Sequence, residues 1–441
     1  MNYLPEKVEK YLSKYYLPNW ELENNSISKI DSIIVIPAIY EYQNIKALLE
    51  SLSENDNKYF PSTLIIFVIN NSPSSDNGIK ADNQKSINLI HSLIAKQEND
   101  EFTKKIISSG LRLALVNAAS KGKELPDKEC GVGLARKIGM DLVLTAFDYT
   151  TQNKKLIISL DADCVVQNNY LTEIIDNFYT KNFSAATVKF KHSFSGNETA
   201  DAIICYEIFL RYYTLGLKLA GSPFAFQIVG STMVFNLDTY LKVEGMNKRK
   251  AAEDFYFLEK IAKRSKITEI NSTTVYPSSR SSWRVPFGTG RSVQRFNDKV
   301  QNEYLLYDPE SFLVLKDWLK VFNKHEKFTG KEYLSSAENI HPALYQFLIE
   351  NKFENSWNKI INNSKSAMQL EKQKADWFDG LRTLKLVHYL RDKAFPLINM
   401  FDALDSILSY FNYSPGIKRE NGKIPPKEEQ VTYLNILREL T

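Results

Sequence analysis

The chain has 441 residues, 43% hydrophobic and 24% charged, and its 56 Lys and Arg against 52 Asp and Glu leave a net charge of +4. Such a length predicts two or three domains of ordinary globular composition, and so even a charge balance, with no dense basic stripe, argues against a nucleic-acid-binding surface. Cys130, Cys164 and Cys205 lie far apart with no Cys-x-x-Cys spacing, which argues against a disulfide framework and a cysteine zinc site and fits a reducing, cytoplasmic setting.

Residues 1–30 read as a helical lead-in and a polar linker. The opening stretch MNYLPEKVEKYLSKYY is charged throughout and unlike a secretion signal. Ile33 to Ile36 read as a buried strand, followed by a turn at Pro37 and a helix from about Glu41 with Leu48, Leu49 and Leu52 on its apolar face. A second buried strand, STLIIFVINNS, ends in Asn70-Asn71. A helix (NQKSINLIHSLIAK), a third strand (LRLALVNAAS) and a Gly-containing turn come next. Leu134, Ile138, Leu142 and Ala146 then carry helical spacing, and KLIISL forms a fourth strand. Further on are a strand (SAATVKFKH), a long helix near 198–220, a strand (STMVFN) and a helix (EDFYFLEKIAK). Apolar strands alternating with helices predict an α/β protein with a doubly wound, mostly parallel sheet. Beyond about 305 helical patterns take over, so 31–304 is expected to form the α/β domain and 305–441 a helical accessory region. The longest uncharged stretch, LAGSPFAFQIVGSTMVFNL, is broken by polar residues, Gly and Pro and falls short of a membrane span.

The segment 155–171 is the most informative. Its apolar run ends in Asp161-Ala162-Asp163. Two carboxylates at the end of a buried strand stand where open α/β sheets bind ligands, and burying them unpaired is costly. Their oxygens suit Mg²⁺ or Mn²⁺, and such a cation suits a diphosphate. A lone Asp-x-Asp is nonetheless more often a pair of solvated turn residues, so its weight depends on what surrounds it.

The surroundings fall in a definite order. Pro37 and Glu41 follow the first strand and Asn70-Asn71 the second. Ala135-Arg136-Lys137 opens a helix, and Asp161 and Asp163 come next. Gly230-Ser231 precedes a strand, Glu253-Asp254 starts a helix, and the loop FGTGRSVQRF closes the series. In this order the chain resembles the inverting family 2 glycosyltransferases, whose catalytic domain has the GT-A nucleotide-sugar-binding fold, over about residues 31–300. The resemblance implies that Pro37 and Glu41 hold the base and ribose of the donor nucleotide, and Asn70-Asn71 stand where the family carries an acidic pair for uracil. It also implies that Asp161 contacts ribose or metal and that Asp163 binds a metal bridging the diphosphate. Asp254, beside Glu253, would be the catalytic base, and Arg291 or Arg295 would hold diphosphate or acceptor. The implied cofactor is Mg²⁺ or Mn²⁺. The implied partners are a nucleotide-diphosphate sugar and a saccharide or lipid-linked acceptor, compatible with contact at the inner face of a membrane. The chain departs from the family pattern at Ile39, at Asn70-Asn71 and in SVQRF, which lacks the leading Gln and the Trp.

Inverting transfer needs a carboxylate to take the acceptor proton and a cation to stabilise the leaving diphosphate. A helix start is expected to keep Asp254 ionised, although Glu253-Asp254 is also an ordinary N-terminal capping pair. Arg136 and Lys137 could face the diphosphate or solvent. His192 could be a third metal ligand or a structural histidine. Tyr206, Phe209, Tyr212 and Tyr213, at helical spacing, read as core rather than as a sugar platform. Two alternatives stay open: a sugar nucleotidyltransferase, although IPAIYEYQNI lacks its Gly-rich loop, and a nucleotide-sugar-binding protein with a degenerate, non-catalytic site.

Overall fold

Short β-branched and aliphatic runs become strands, and the amphipathic segments between them become the helices that cover the sheet. The structure is a computed structural model describing residues 4–23, 27–194, 199–280, 288–324 and 328–441. In chain order its first half runs α1 (Glu6–Tyr15), β1 (Ser32–Ala38), α2 (Tyr42–Ser53), β2 (Thr63–Asn70), α3 (Asn77–Ile94), α4 (Glu101–Ser109), β3 (Leu113–Ala118), α5 (Val132–Leu142), β4 (Leu156–Ser159) and β5 (Cys164–Val166). It continues with α6 (Tyr170–Thr180), β6 (Ala185–Phe190), α7 (Ala200–Leu219), β7 (Met233–Asn236), α8 (Leu237–Lys242), α9 (Glu253–Ala262), β8 (Ile267–Pro277) and α10 (Thr289–Asn297).

The eight strands lie in the order β3-β2-β1-β4-β7-β6-β8-β5. The pairs β3/β2, β2/β1, β1/β4 and β6/β8 are parallel. Strand β7 runs antiparallel between β4 and β6, and β5 antiparallel to β8. The sheet is therefore α/β and mostly parallel, as expected, with its antiparallel pairings in the second half. Every residue of β1 and β2 is buried, the signature of strands covered on both faces. Ile33 and Val35 join the core on one face, and Ile34 and Ile36 the core on the other, because successive side chains alternate across a strand. Helix α5 sits close against the first face. A Cβ on Gly139 would come within 2.5 Å of Val35 and 2.8 Å of Val68, so only glycine allows this approach.

The expected loop FGTGRSVQRF is a helix from Thr289 onward, while its Phe287 lies outside the described residues. Val293 explains the difference: it is buried against Ala202 and Ile203 of α7, so tertiary packing overrides two glycines. From Pro309 to Leu440 the described chain is mainly helical, with one short antiparallel pair, Leu305–Leu306 with Ile398–Asn399, that the sequence did not suggest. Ile204, Ile208, Tyr212 and Leu215 of α7 share a single core with Phe312, Trp318, Leu404 and Leu437 of these helices. No described helix is long and apolar enough to cross a membrane, and Cys130, Cys164 and Cys205 are free thiols.

Candidate active site

Strands β1, β2 and β3 proceed to one side, and β4 then returns to the other side of β1. The carboxyl ends of β1 and β4 thus flank the switch point, the place where open α/β sheets bind ligands. Glu41 follows β1 at the N-terminal boundary of α2, while Asp161 and Asp163 follow β4. The side chains of Asp161 and Asp163 remain about a third and a quarter exposed.

Arg136 organises the cluster. It projects from the first turns of α5, and its residue is only 2% exposed. Its Nη2 donates to Asp161 Oδ1 and its Nη1 to Glu253 Oε1. One guanidinium thus ties the end of β4 to the start of α9, a span of 117 residues between Arg136 and Glu253. The glycine of Gly230-Ser231 makes room for it, since a Cβ there would stand 2.8 Å from the Arg136 Cζ. Burial disfavours the arginine's charge, but Asp161, Glu253 and Asp254 outweigh it and hold the group protonated. Arg136 is therefore an internal bridge and not a solvated side chain.

At Asp254 the pull of the helix start toward the ionised form is opposed by burial. Asp254 is half-buried, and its Oδ1 accepts the Phe255 N–H at 2.8 Å. Burial pushes its carboxyl above the ordinary aspartate value, against the opposing pull of Arg136 and the Phe255 amide. Glu253 is pushed up to about 7, first by burial and then, against Arg136, by the Asp254 charge. Three carboxylates around one guanidinium leave a net negative pocket, and desolvation outweighs the helix dipole.

A second arginine completes the arrangement. Arg280, three residues beyond β8, donates through Nη2 to Glu41 and, at 3.3 Å, to Asp163 Oδ2. Its buried Nε has no hydrogen-bond partner among the described residues. Glu41 also accepts from Asn44 at 2.5 Å. Sequence reading missed Arg280 because the motif pointed farther along, to Arg291 and Arg295. Arg291 instead contacts Gln294 at 3.2 Å, and Arg295 forms a two-point pair with Glu303. Among the described residues, the arginines paired with the site carboxylates are Arg136 and Arg280. No advance signal marked Arg280, because the strand before it, β8, carries no strand pattern in the sequence.

Among the described residues no three His, Cys, Asp or Glu side chains cluster as a metal cage. The donor set still fits a divalent cation, because Mg²⁺ is commonly held by one or two carboxylates together with substrate phosphates. Asp161 and Asp163 supply such carboxylates on partly open side chains. His192 is not placed to add a third ligand. It is buried, its Nδ1 lies 3.0 Å from Glu207 and its Nε2 lies 3.3 Å from Thr289. Glu207 in turn accepts from Arg211 at 2.8 Å and from Arg438 at 2.7 Å.

Pro37 lies within β1, opposite Val68. Asn70 and Asn71 are buried and committed to the backbone. Asn70 Nδ2 donates to Ala38 and Val68 carbonyls at 3.1 Å, and Asn71 Nδ2 donates to Ser72 and Ala119 carbonyls at 3.2 Å. Asn83 clamps both, donating to Asn71 Oδ1 at 2.8 Å and to the Asn70 carbonyl at 2.9 Å. The pair thus fastens the ends of β1, β2 and β3.

No protein-family model matches the chain, and no curated protein does. Solved structures do overlap it. The crystal structure of S. aureus TarS 1–349 is 12% identical, with 79% of this chain and 91% of that chain covered and a TM-score of 0.38. The same TarS fragment in complex with UDP-GlcNAc is 11% identical, covering 79% and 91% at a TM-score of 0.38. Glucosyl-3-phosphoglycerate synthase from Mycobacterium tuberculosis, in complex with Mn²⁺, UDP and phosphoglyceric acid, is 11% identical, covering 65% and 78% at a TM-score of 0.34. Overlaps this loose carry no argument about the reaction, which rests on the side chains described above.

Proposed function

We propose that the chain is a metal-dependent, inverting glycosyltransferase that moves a sugar from a nucleotide-diphosphate donor to a hydroxyl acceptor. The observation that carries this reading is the coupling of Asp161-Ala162-Asp163, at the switch point of the sheet, to Glu253-Asp254 through the buried Arg136. Residues 31–304 would be the catalytic unit and 305–441 an accessory region that shares its core with α7.

Asp163, with Asp161, would hold Mg²⁺ or Mn²⁺ against the diphosphate. When bound, such a cation neutralises charge developing on the leaving group. Arg280, between Glu41 and Asp163, supplies a planar guanidinium suited to phosphate oxygens. Asp254 accepts the proton of the acceptor hydroxyl at a carboxylate oxygen, and its raised proton affinity brings it toward the working pH that suits a general base. Arg136 is a positioning residue: it holds Asp161 and Glu253 in one frame, so the donor end and the base end of the site keep their separation. Its paired contacts also support the cluster's negative charge.

The test is direct. The full chain is incubated with Mn²⁺ and a set of nucleotide sugars that includes UDP-glucose and UDP-N-acetylglucosamine, and nucleotide release and new glycosides are followed by mass spectrometry. Absence of both nucleotide release and nucleotide-dependent thermal stabilisation across the set would sink the proposal. The anomeric configuration of the product, read by NMR, tests inversion.

A further inference from the structure

A cleft of about 290 Å³ opens between α7, α10, the segment 301–307 and the helix Gly380–Lys393. It lies at the small end of ligand-pocket volumes, roughly 300–1,000 Å³, and so suits a single ring better than a chain. Tyr206 stands at its inner side. Its phenol hydrogen-bonds with the Thr289 side chain and feels the charge of Asp254, so the cleft lies on the side of the catalytic cluster.

The lining has two chemistries. Tyr206, Phe209 and Tyr307 present aromatic surface. Tyr212, on the same helix, is fully buried in the shared core, whereas Phe209 is 37% exposed at the rim, as is Leu397 at 38%. The expectation that the α7 aromatics are all core is therefore corrected for Phe209. Between the rings lie planar polar groups: Gln301, Asn302 and the Arg295–Glu303 pair. Charge in the cleft is compensated, because Arg295 is matched by Glu303 and Arg391 by Asp392. A phosphate or carboxylate ligand would call for an uncompensated guanidinium. A sugar hydroxyl is donor and acceptor at once, so side-by-side amide, guanidinium and carboxylate edges suit it, while the aromatic faces cover the C–H face of a ring.

We infer that this cleft is the acceptor subsite and that it takes an uncharged saccharide ring. The inference rests on the glycosyltransferase reading above and adds the substrate class. Acceptor held here would meet the catalytic cluster from the side of Tyr206, and the accessory region would complete the subsite through Arg391 and Leu397.

The experiment is saturation-transfer NMR on the full chain with methyl glucoside, methyl galactoside, methyl mannoside and N-acetylglucosamine. Glucuronic acid and glucose 6-phosphate serve as charged counterparts. The expected result is transfer to at least one uncharged sugar and weaker transfer to the charged ones. The double variant Phe209→Ala/Gln301→Ala changes two exposed side chains and should retain the fold. It should weaken sugar binding about tenfold, the scale of one aromatic contact plus one hydrogen bond. Its thermal shift with UDP and Mn²⁺ should match the wild type. Transfer to none of the uncharged sugars, preference for the charged ones, or undiminished transfer in the double variant would each overturn the inference. A normal nucleotide shift alongside such a result would leave the glycosyltransferase reading standing. Sugar binding at the cleft without any nucleotide shift would overturn that reading instead.

Discussion

Replacing Glu253 by Gln isolates the electrostatic cost built into the site. Glu253 is buried with Arg136 as its partner, and burial raises its carboxyl from 4.5 to about 7. Between those two values the folded chain holds a proton that the unfolded chain has released. Stability is therefore fully present below the lower value and falls as pH rises toward the upper one. A tenfold change in proton affinity is worth about 1.4 kcal/mol, so the whole fall is ~3 kcal/mol. The glutamine carbonyl can still accept from Arg136, and Arg136 keeps Asp161 and Asp254 as counter-charges, but the amide never ionises. The expected outcome is a variant that gains about 2–3 kcal/mol over the wild type on going from pH 5 to pH 8. The assay is urea unfolding followed by tryptophan fluorescence at pH 5, 6, 7 and 8. Parallel wild-type and variant curves across that range would refute the reasoning, because they would mean that Arg136 fully offsets the burial of Glu253.

Asp254→Asn should cut turnover by at least about a hundredfold, the scale of losing a general base, while calorimetry gives near-wild-type affinity for the nucleotide sugar; the asparagine oxygen can still accept the Phe255 amide. Asp163→Ala should remove the Mn²⁺-dependent part of nucleoside diphosphate binding, and a variant whose affinity still rises with Mn²⁺ would exclude Asp163 as a ligand. Arg280→Gln should weaken nucleoside diphosphate binding about ten- to a hundredfold, the equivalent of one charge-assisted hydrogen bond of ~1.5–3 kcal/mol. Unchanged affinity would leave Arg280 only as a neutralising partner of Glu41 and Asp163.

Local physics made much of the first half legible. The runs 33–36 in β1, 64–69 in β2 and 156–158 in β4 are apolar because both faces of those strands are covered. An Asp-x-Asp directly after such a run reads as a ligand-facing end from sequence alone. Glu253-Asp254 was legible as a helix start for the same local reason. Strand β8 was not legible. Its residues, ITEINSTTVYP, neither alternate nor form an apolar run, and they become a strand only between β6 and β5. Helix α10 was hidden in a similar way, since its two glycines read as loop until Val293 finds α7.

By itself, the sequence determined the alternation of strands and helices, the position of the two carboxylates at a strand end and the identity of the acidic pair at a helix start. Each depends on neighbours a few residues away. The tertiary structure alone decided which cations face those acids. Arg136 meets Glu253 across 117 residues, and Arg280 meets Glu41 across 239. It also turned Asn70 and Asn71 inward to fasten strand ends and sealed His192 against Glu207. Burial supplies the physical reason. A side chain's partners and its proton affinity are set by what desolvates it, and desolvation comes from segments distant in the chain that no local pattern records.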